Sequence, residues 1–171
     1  MSLEILLRLD GVTGGCRNYH YKGWSEVFSW HWELLSNRNT SRVTDSDEKS
    51  FGEISLTKPI GRDSTAIMLL YAQGKTIQYA DLKMVQLVSK REAQQKYLSL
   101  HMEDVLVKSI VTGGVSADDH FNETIVLLFN YIRYEYNFHI ASDPGENNAS
   151  SMEFQLAWDI AQDQEWQQKT D

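Results

Sequence analysis

The sequence is poor in the residues that constrain a chain by cross-links or fixed geometry. It has one cysteine, Cys16, in 171 residues, which excludes an intramolecular disulfide framework and a Cys-rich zinc site. Its two prolines leave strand ladders almost uninterrupted. No apolar run approaches the roughly 20 residues of a bilayer-spanning helix, so no membrane insertion is expected. The opening residues 1–10 (MSLEILLRLD) are too short and too charged to be a secretory leader. Basic side chains are also scarce: 16 Lys and Arg stand against 24 Asp and Glu, a formal net charge of −8. That balance argues against a nucleic-acid partner, whose phosphates are held by Lys and Arg. Hydrophobic residues make up 42% of the chain and charged residues 23%, which excludes an intrinsically disordered chain. A single globule of this length buries roughly 70% of its unfolded surface, enough to hold together without a metal or cofactor.

What is present points to strands. Apolar and polar residues alternate with a period of two at 25–35, where Phe28, Trp30, Trp32 and Leu34 share the phase expected to pack inward. The same pattern covers 97–103 (Leu98, Leu100, Met102) and 152–160 (Met152, Phe154, Leu156, Trp158, Ile160). Further strands are predicted at 3–9, 51–57, 76–89, 105–112 and 121–138. The last would span about 60 Å at ~3.3 Å per residue, so a bend or bulge is expected inside it. Residues 63–74 read as a helix, with Asp63 or Ser64 as cap, Gly74 as terminator and Ile67, Leu70 and Tyr71 on one face. The predicted architecture is mainly β: an antiparallel β-barrel of about eight strands with one short flanking α-helix, in a single domain over 1–161, followed by a polar tail at 162–171. Residues 36–50 form a polar loop long for a link between strands, a length usually associated with function or disorder.

The candidate chemistry is thin. The five histidines are scattered, and Asp118-Asp119-His120 reads as an acidic turn more readily than as a metal-assisted hydrolase site. Cys16 has no evident base and reads as an accessible thiol in a loop. Gly113-Gly114 lacks the Lys-Ser/Thr of a phosphate-binding loop, and Lys90-Arg91 with Lys96 reads as a solvated hairpin. Three Asn-x-Ser/Thr triplets, at Asn39, Asn122 and Asn148, match glycosylation acceptors only formally. Five tryptophans raise the alternative of a monomeric β-barrel module binding a carbohydrate, but Trp30, Trp32 and Trp158 all fall on the apolar phase of their strands. Residues 76–89 and 121–138 carry apolar side chains on both phases, as strands do when they are covered twice, here by the helix in part and by another subunit for the rest.

The order of motifs resembles the Hcp family, the haemolysin-coregulated proteins of bacterial type VI secretion. The resemblance is carried by Leu9-Asp10-Gly11-Val12 with Gly14-Gly15, Val27-Phe28-Ser29-Trp30-His31-Trp32, Ile54-Ser55-Leu56-Thr57-Lys58, the helix from Ser64-Thr65 to Gln73-Gly74-Lys75, Val105-Leu106-Val107-Lys108-Ser109 with Thr112-Gly113-Gly114, Glu123-Thr124-Ile125-Val126-Leu127, and Trp158. It implies a non-enzymatic tube subunit that needs no cofactor. Six copies would form a ring and rings would stack into a tube, with sheath and spike components and small effector proteins as further partners. It also implies export from the cytoplasm without a cleaved signal peptide. The polar loop stands where the family has a loop for ring or stacking contacts, which assigns that role to Asn37, Arg38, Asn39, Thr40, Ser41, Arg42, Asp45, Asp47 and Lys49. Family members often carry a glycine-rich stretch there, which this chain lacks. If the face of strand 25–35 opposite Trp30 and Trp32 lines the lumen, Ser29, His31 and Glu33 would contact cargo.

Overall fold

A computed structural model of the chain describes residues 2–36, 49–87, 95–117, 121–139 and 151–167. The loop residues Asn37–Asp47 singled out above, Lys90-Arg91 and Asp118-Asp119-His120 lie outside the described residues. In chain order the elements are β1 (Ser2–Leu9), a 3-10 turn (Tyr19–Tyr21), β2 (Ser25–Val27), β3 (Ser29–Trp32), β4 (Leu35–Ser36), β5 (Lys49–Ser50), β6 (Ile54–Pro59), α1 (Ser64–Gln73), β7 (Ile77–Leu87), β8 (Gln95–Gly113), β9 (Asn122–Leu128), β10 (Tyr131–His139), β11 (Ser151–Asp159) and β12 (Gln164–Glu165). The protein is mainly β, antiparallel at every pairing among the described residues, with one short α-helix.

Two layers enclose the core, and β8 belongs to both. One hydrogen-bonded path runs β12-β11-β10-β8-β7-β1-β2; β9 pairs with β8 and β6, and β6 with β3. The first half of β8 pairs with β7 and β10, and its second half, from Leu106, pairs with β9. The chain itself joins the layers a second time at Phe28, between β2 and β3. There the expected single strand 25–35 breaks. Phe28 donates its N–H to the Thr57 carbonyl at 2.8 Å and so leaves the β1 edge for the β6 edge. The break shifts the phase: Ser25 and Val27 are buried before it, Trp30 and Trp32 pack against the core after it, and Phe28 and Leu34 are exposed. The expected inward set therefore holds for the two tryptophans alone.

The other departures are a fusion and a split. Segments 97–103 and 105–112 form one 19-residue strand, β8, which passes through Asp104 in the left-handed region (φ 52°). Segment 121–138 is two strands, β9 and β10, parted at Phe129-Asn130, where Asn130 donates its N–H to the Glu103 carbonyl at 3.1 Å. The chain therefore turns at Asp104 and Asn130 side by side, where the layers diverge.

Helix α1 ends as expected, on Gly74 in the left-handed conformation (φ 58°). Its start is different. Asp63 makes no capping hydrogen bond to the helix; its carboxylate accepts from Ser25 Oγ and from Lys58 Nζ. Of the face Ile67, Leu70 and Tyr71, Ile67 is buried and Leu70 packs on the core, while Tyr71 is exposed together with Leu69.

Candidate functional site

Alternation along β3 sends Trp30 and Trp32 inward and leaves Ser29 and His31 exposed on one face, with Glu33 exposed just past the strand. Ladder register extends that face across the layer. Ser29 stands opposite Thr57 and His31 opposite Ser55; these stand opposite Thr124 and Val126 on β9. Thr57 Oγ1 and Thr124 Oγ1 lie 3.2 Å apart and share a hydrogen bond. The only charges that flank it by ion pairing among the described residues are Lys108 and Glu53, which bind each other. The surface is a panel of short hydroxyl and β-branched side chains. Past Glu33, β4 and β5 pair through Leu35–Ser50 and Ser36–Lys49. This two-rung ladder clamps both ends of the polar loop and places Lys49 at its root. Gly52 follows in the left-handed region (φ 59°), where a Cβ would sit 2.1 Å from the Glu33 carbonyl oxygen, so the clamp requires glycine.

The core face of the first layer is built from rows. Leu9, Ala80, Met102, Ile132 and Trp158 lie side by side across β1, β7, β8, β10 and β11; Leu7, Leu82, Leu100, Tyr134 and Leu156 form the next row; Ile5, Met84, Leu98, Tyr136 and Phe154 form the third. The second layer covers these rows only in part. Trp32 meets Tyr134 at 6.0 Å and Phe51 stacks on Trp158 at 5.6 Å. Beyond them Leu156 is 40% exposed, Tyr136 38% and Phe154 57%. An apolar hollow of about 530 Å³ opens beside them, lined by Leu3, Trp30, Met84, Leu98, Tyr134 and Tyr136. Of the expected inward phase of 152–160, Phe154 and Leu156 thus share the core side with Trp158, but among the described side chains of that phase Trp158 and Ile160 are the ones packed against the core. Trp30, Trp32 and Trp158 all pack against the core, Trp30 at the wall of this hollow, as the inward phase of their strands predicts.

A family model described as "Type VI secretion system effector, Hcp" matches residues 6–136. The chain belongs to the Hcp family. A curated relative, protein hcp1 of Pseudomonas aeruginosa, is 22% identical over 138 residues, covering 80% of this chain and 84% of that protein. Among solved structures, Hcp1 from Salmonella typhimurium superposes with a TM-score of 0.73 at 24% identity, over 97% of this chain and 100% of its own. A structure titled as a type six secretion system protein reaches 0.77 at 18% identity, over 96% and 100%. The Hcp match spans β1 to most of β10, including the hydroxyl panel; β11, β12 and the residues after them lie beyond it.

Two polar clusters in this Hcp chain were not anticipated from its sequence. At the helix start, Lys58 Nζ donates to Asp63 Oδ1 at 3.0 Å, Glu123 Oε1 at 2.8 Å and the Pro59 carbonyl at 2.8 Å, with all three charged side chains 3% exposed or less. Ser64 Oγ donates to the same Glu123 oxygen at 2.8 Å. The signal was available: Lys58 continues the inward phase of Ile54 and Leu56, Glu123 begins that of Ile125 and Leu127, and the two stand opposite each other. On the outer face of the first layer, His101 Nδ1 lies 2.7 Å from Asp81 Oδ1 and Nε2 3.2 Å from Glu103 Oε1. The hydrogen bond to Asp81 raises the His101 pKa most; partial burial opposes it, the Asp81 charge and the Glu103 hydrogen bond add to it, and Arg133 works against it. Cys16 is partly buried against Leu6, Tyr21, Trp24 and Val85, and that burial raises its pKa. The thiol is thus less accessible than expected and stays protonated at neutral pH. Among the described residues no group of three or more His, Cys, Asp or Glu is placed to hold a metal ion, and no helix is long and apolar enough to cross a membrane.

Proposed function

We propose that the chain is a non-catalytic subunit of a type VI secretion tube that works as a hexameric ring, and that rings stack through the loop at 37–49. The observation that carries this reading is the uncovered end of the apolar rows, Tyr136, Phe154 and Leu156, in a chain of the Hcp family. A core face that continues past its own second layer is completed by a neighbour, and a head-to-tail contact of that kind repeats until a ring closes. In this reading residues 1–161 form one barrel domain. Its support is the circuit of pairings β1–β2, β3–β6, β6–β9, β9–β8, β8–β7 and β7–β1, with Phe28 bridging the one unpaired step. The hydroxyl panel with Ser29 and His31, and Glu33 beside it, faces the lumen and contacts small effector proteins on their way through, weakly enough to let them go. Sheath and spike components are the remaining partners, and the protein passes from the cytoplasm to the outside with the tube.

The test is the mass in solution by light scattering after size-exclusion chromatography. Six copies of a 19.7 kDa chain give about 118 kDa, and electron microscopy of that species should show a central hole. Wild-type protein that stays near 20 kDa across a hundredfold concentration range would sink the ring. For the lumen, His31→Arg with an intact ring should weaken effector capture; capture at wild-type level would remove that assignment.

A further inference from the structure

The end of the chain builds a second feature, separate from the apolar rows and from the hydroxyl panel. After β11 the chain turns through residues 160–163, returns as β12 and lays Trp166 back over the outer face, where its N–H donates to the Ala157 carbonyl at 3.0 Å. The indole stacks on His101 (6.3 Å between centroids, 6° between planes) and meets Tyr131 at 5.3 Å and 40°. Beside the two rings lies a cleft of about 780 Å³, also lined by Glu103, Asp159 and Glu165, with no Lys or Arg in its wall among the described residues.

Asp159 is the telling residue. It is 6% exposed, a setting that carboxylates avoid unless they are paired. One of its oxygens accepts the Gln162 N–H at 3.0 Å; no described group donates to the other. Its charge is also felt at the rim: the Asp159 carboxylate raises the Tyr131 phenol, with smaller contributions from desolvation, Asp104 and Glu103. A mostly buried carboxylate that lines the cleft together with two aromatic rings matches the recognition of a cation with an apolar skin, which gains from ring quadrupoles and carboxylate together. It does not match a hard metal ion, which needs several converging oxygens.

We propose that this cleft binds an organic cation, an ammonium or guanidinium head, with Asp159 opposing its charge and Trp166 and Tyr131 as its aromatic wall. The cation comes either from a free amine or from a Lys or Arg side chain presented by a peptide. Calorimetric titration of the full chain with tetramethylammonium chloride, N-acetyl-lysine amide and N-acetyl-arginine amide, against sodium chloride at equal ionic strength, tests it. In parallel, 5-fluorotryptophan spectra should show the Trp166 line, assigned with Trp166→Phe, moving along the same isotherm. Saturable millimolar binding is expected, weakened about tenfold or more by Asp159→Asn. That change keeps an acceptor for the Gln162 N–H; Glu165→Gln, on exposed β12, should weaken binding in the same direction without touching the buried group. Tetramethylammonium binding as tightly as the capped amides identifies a free-amine site, and tighter capture of a capped amide identifies a peptide side chain. Heats that match the sodium chloride control, or wild-type affinity in both variants, would overturn the proposal.

Discussion

Lys58 holds a position that its strand pattern reserves for an apolar side chain, and it is tolerated there because two carboxylates and a carbonyl surround its ammonium. Removing one member of such a cluster leaves the others charged and dry, so Lys58→Ala should cost about 3–5 kcal/mol, read as a lower urea midpoint. His101 contributes in a pH-dependent way. Its pKa is raised in the folded state, so its stabilisation is complete below the ordinary value of about 6.5 and is lost as pH rises through the higher folded value. The stability gap between wild type and His101→Gln should therefore shrink from pH 5.5 to pH 8.5 in urea melts; a constant gap would show that His101 acts by packing alone. Lys58 and Glu123 were legible in principle, as charges on an inward phase. His101 was not, because its main partner Asp81 is brought to it by pairing of β7 with β8 that no local pattern encodes; Glu103 stands two residues along the same strand.

Most strands were legible because alternation is local, and two of the misjudged segments share one cause. Along β8 the buried positions are Leu100 and Met102, then Val105 and Val107; from β9 to β10 they run Ile125, Leu127 and Phe129, then Ile132. Each shows a change of phase. In β8 the chain absorbs it in a single left-handed residue, Asp104, and continues; at Asn130 it stops and restarts. A phase change marks where a strand must be re-aimed, and whether it survives depends on partners on both edges. Asp104 supports a concrete expectation. Holding a non-glycine residue left-handed costs roughly 1–2 kcal/mol, so Asp104→Gly should be neutral or stabilising. Asp104→Val should lower the melting midpoint, because branching at Cβ worsens the clash. Equal melting curves for both variants would mean that the bend is carried elsewhere.

The candidate site was half legible. Ser29 and His31 could be assigned to the face opposite the tryptophans from alternation alone, and the structure keeps them there. The open end of the apolar rows could not be foreseen, since 152–160 alternates cleanly whether or not anything covers it. Which side chains remain bare depends on how far the second layer reaches, and its ring contacts among the described residues are those of Trp32 with Tyr134 and Phe51 with Trp158. If the ring forms through this edge, Phe154→Ser with Leu156→Ser should shift the particle from about 118 kDa toward the monomer. Covering a Phe or Leu contributes about 1.5–3 kcal/mol each, and the monomer's own core does not depend on them. An unaltered mass would place the contact elsewhere.

The shared strand β8 has a mechanical consequence if the proposed tube is driven lengthwise. Because one uninterrupted 19-residue segment is stitched into both layers, neither layer can swing away while the other stays intact. Thrust that arrives on one layer passes to the other through covalent bonds, without relying on the slip of side chains in the core. Loading therefore meets a single stiff body that yields all at once or not at all, and amide exchange at Leu100 and at Ile110 should report the same opening event.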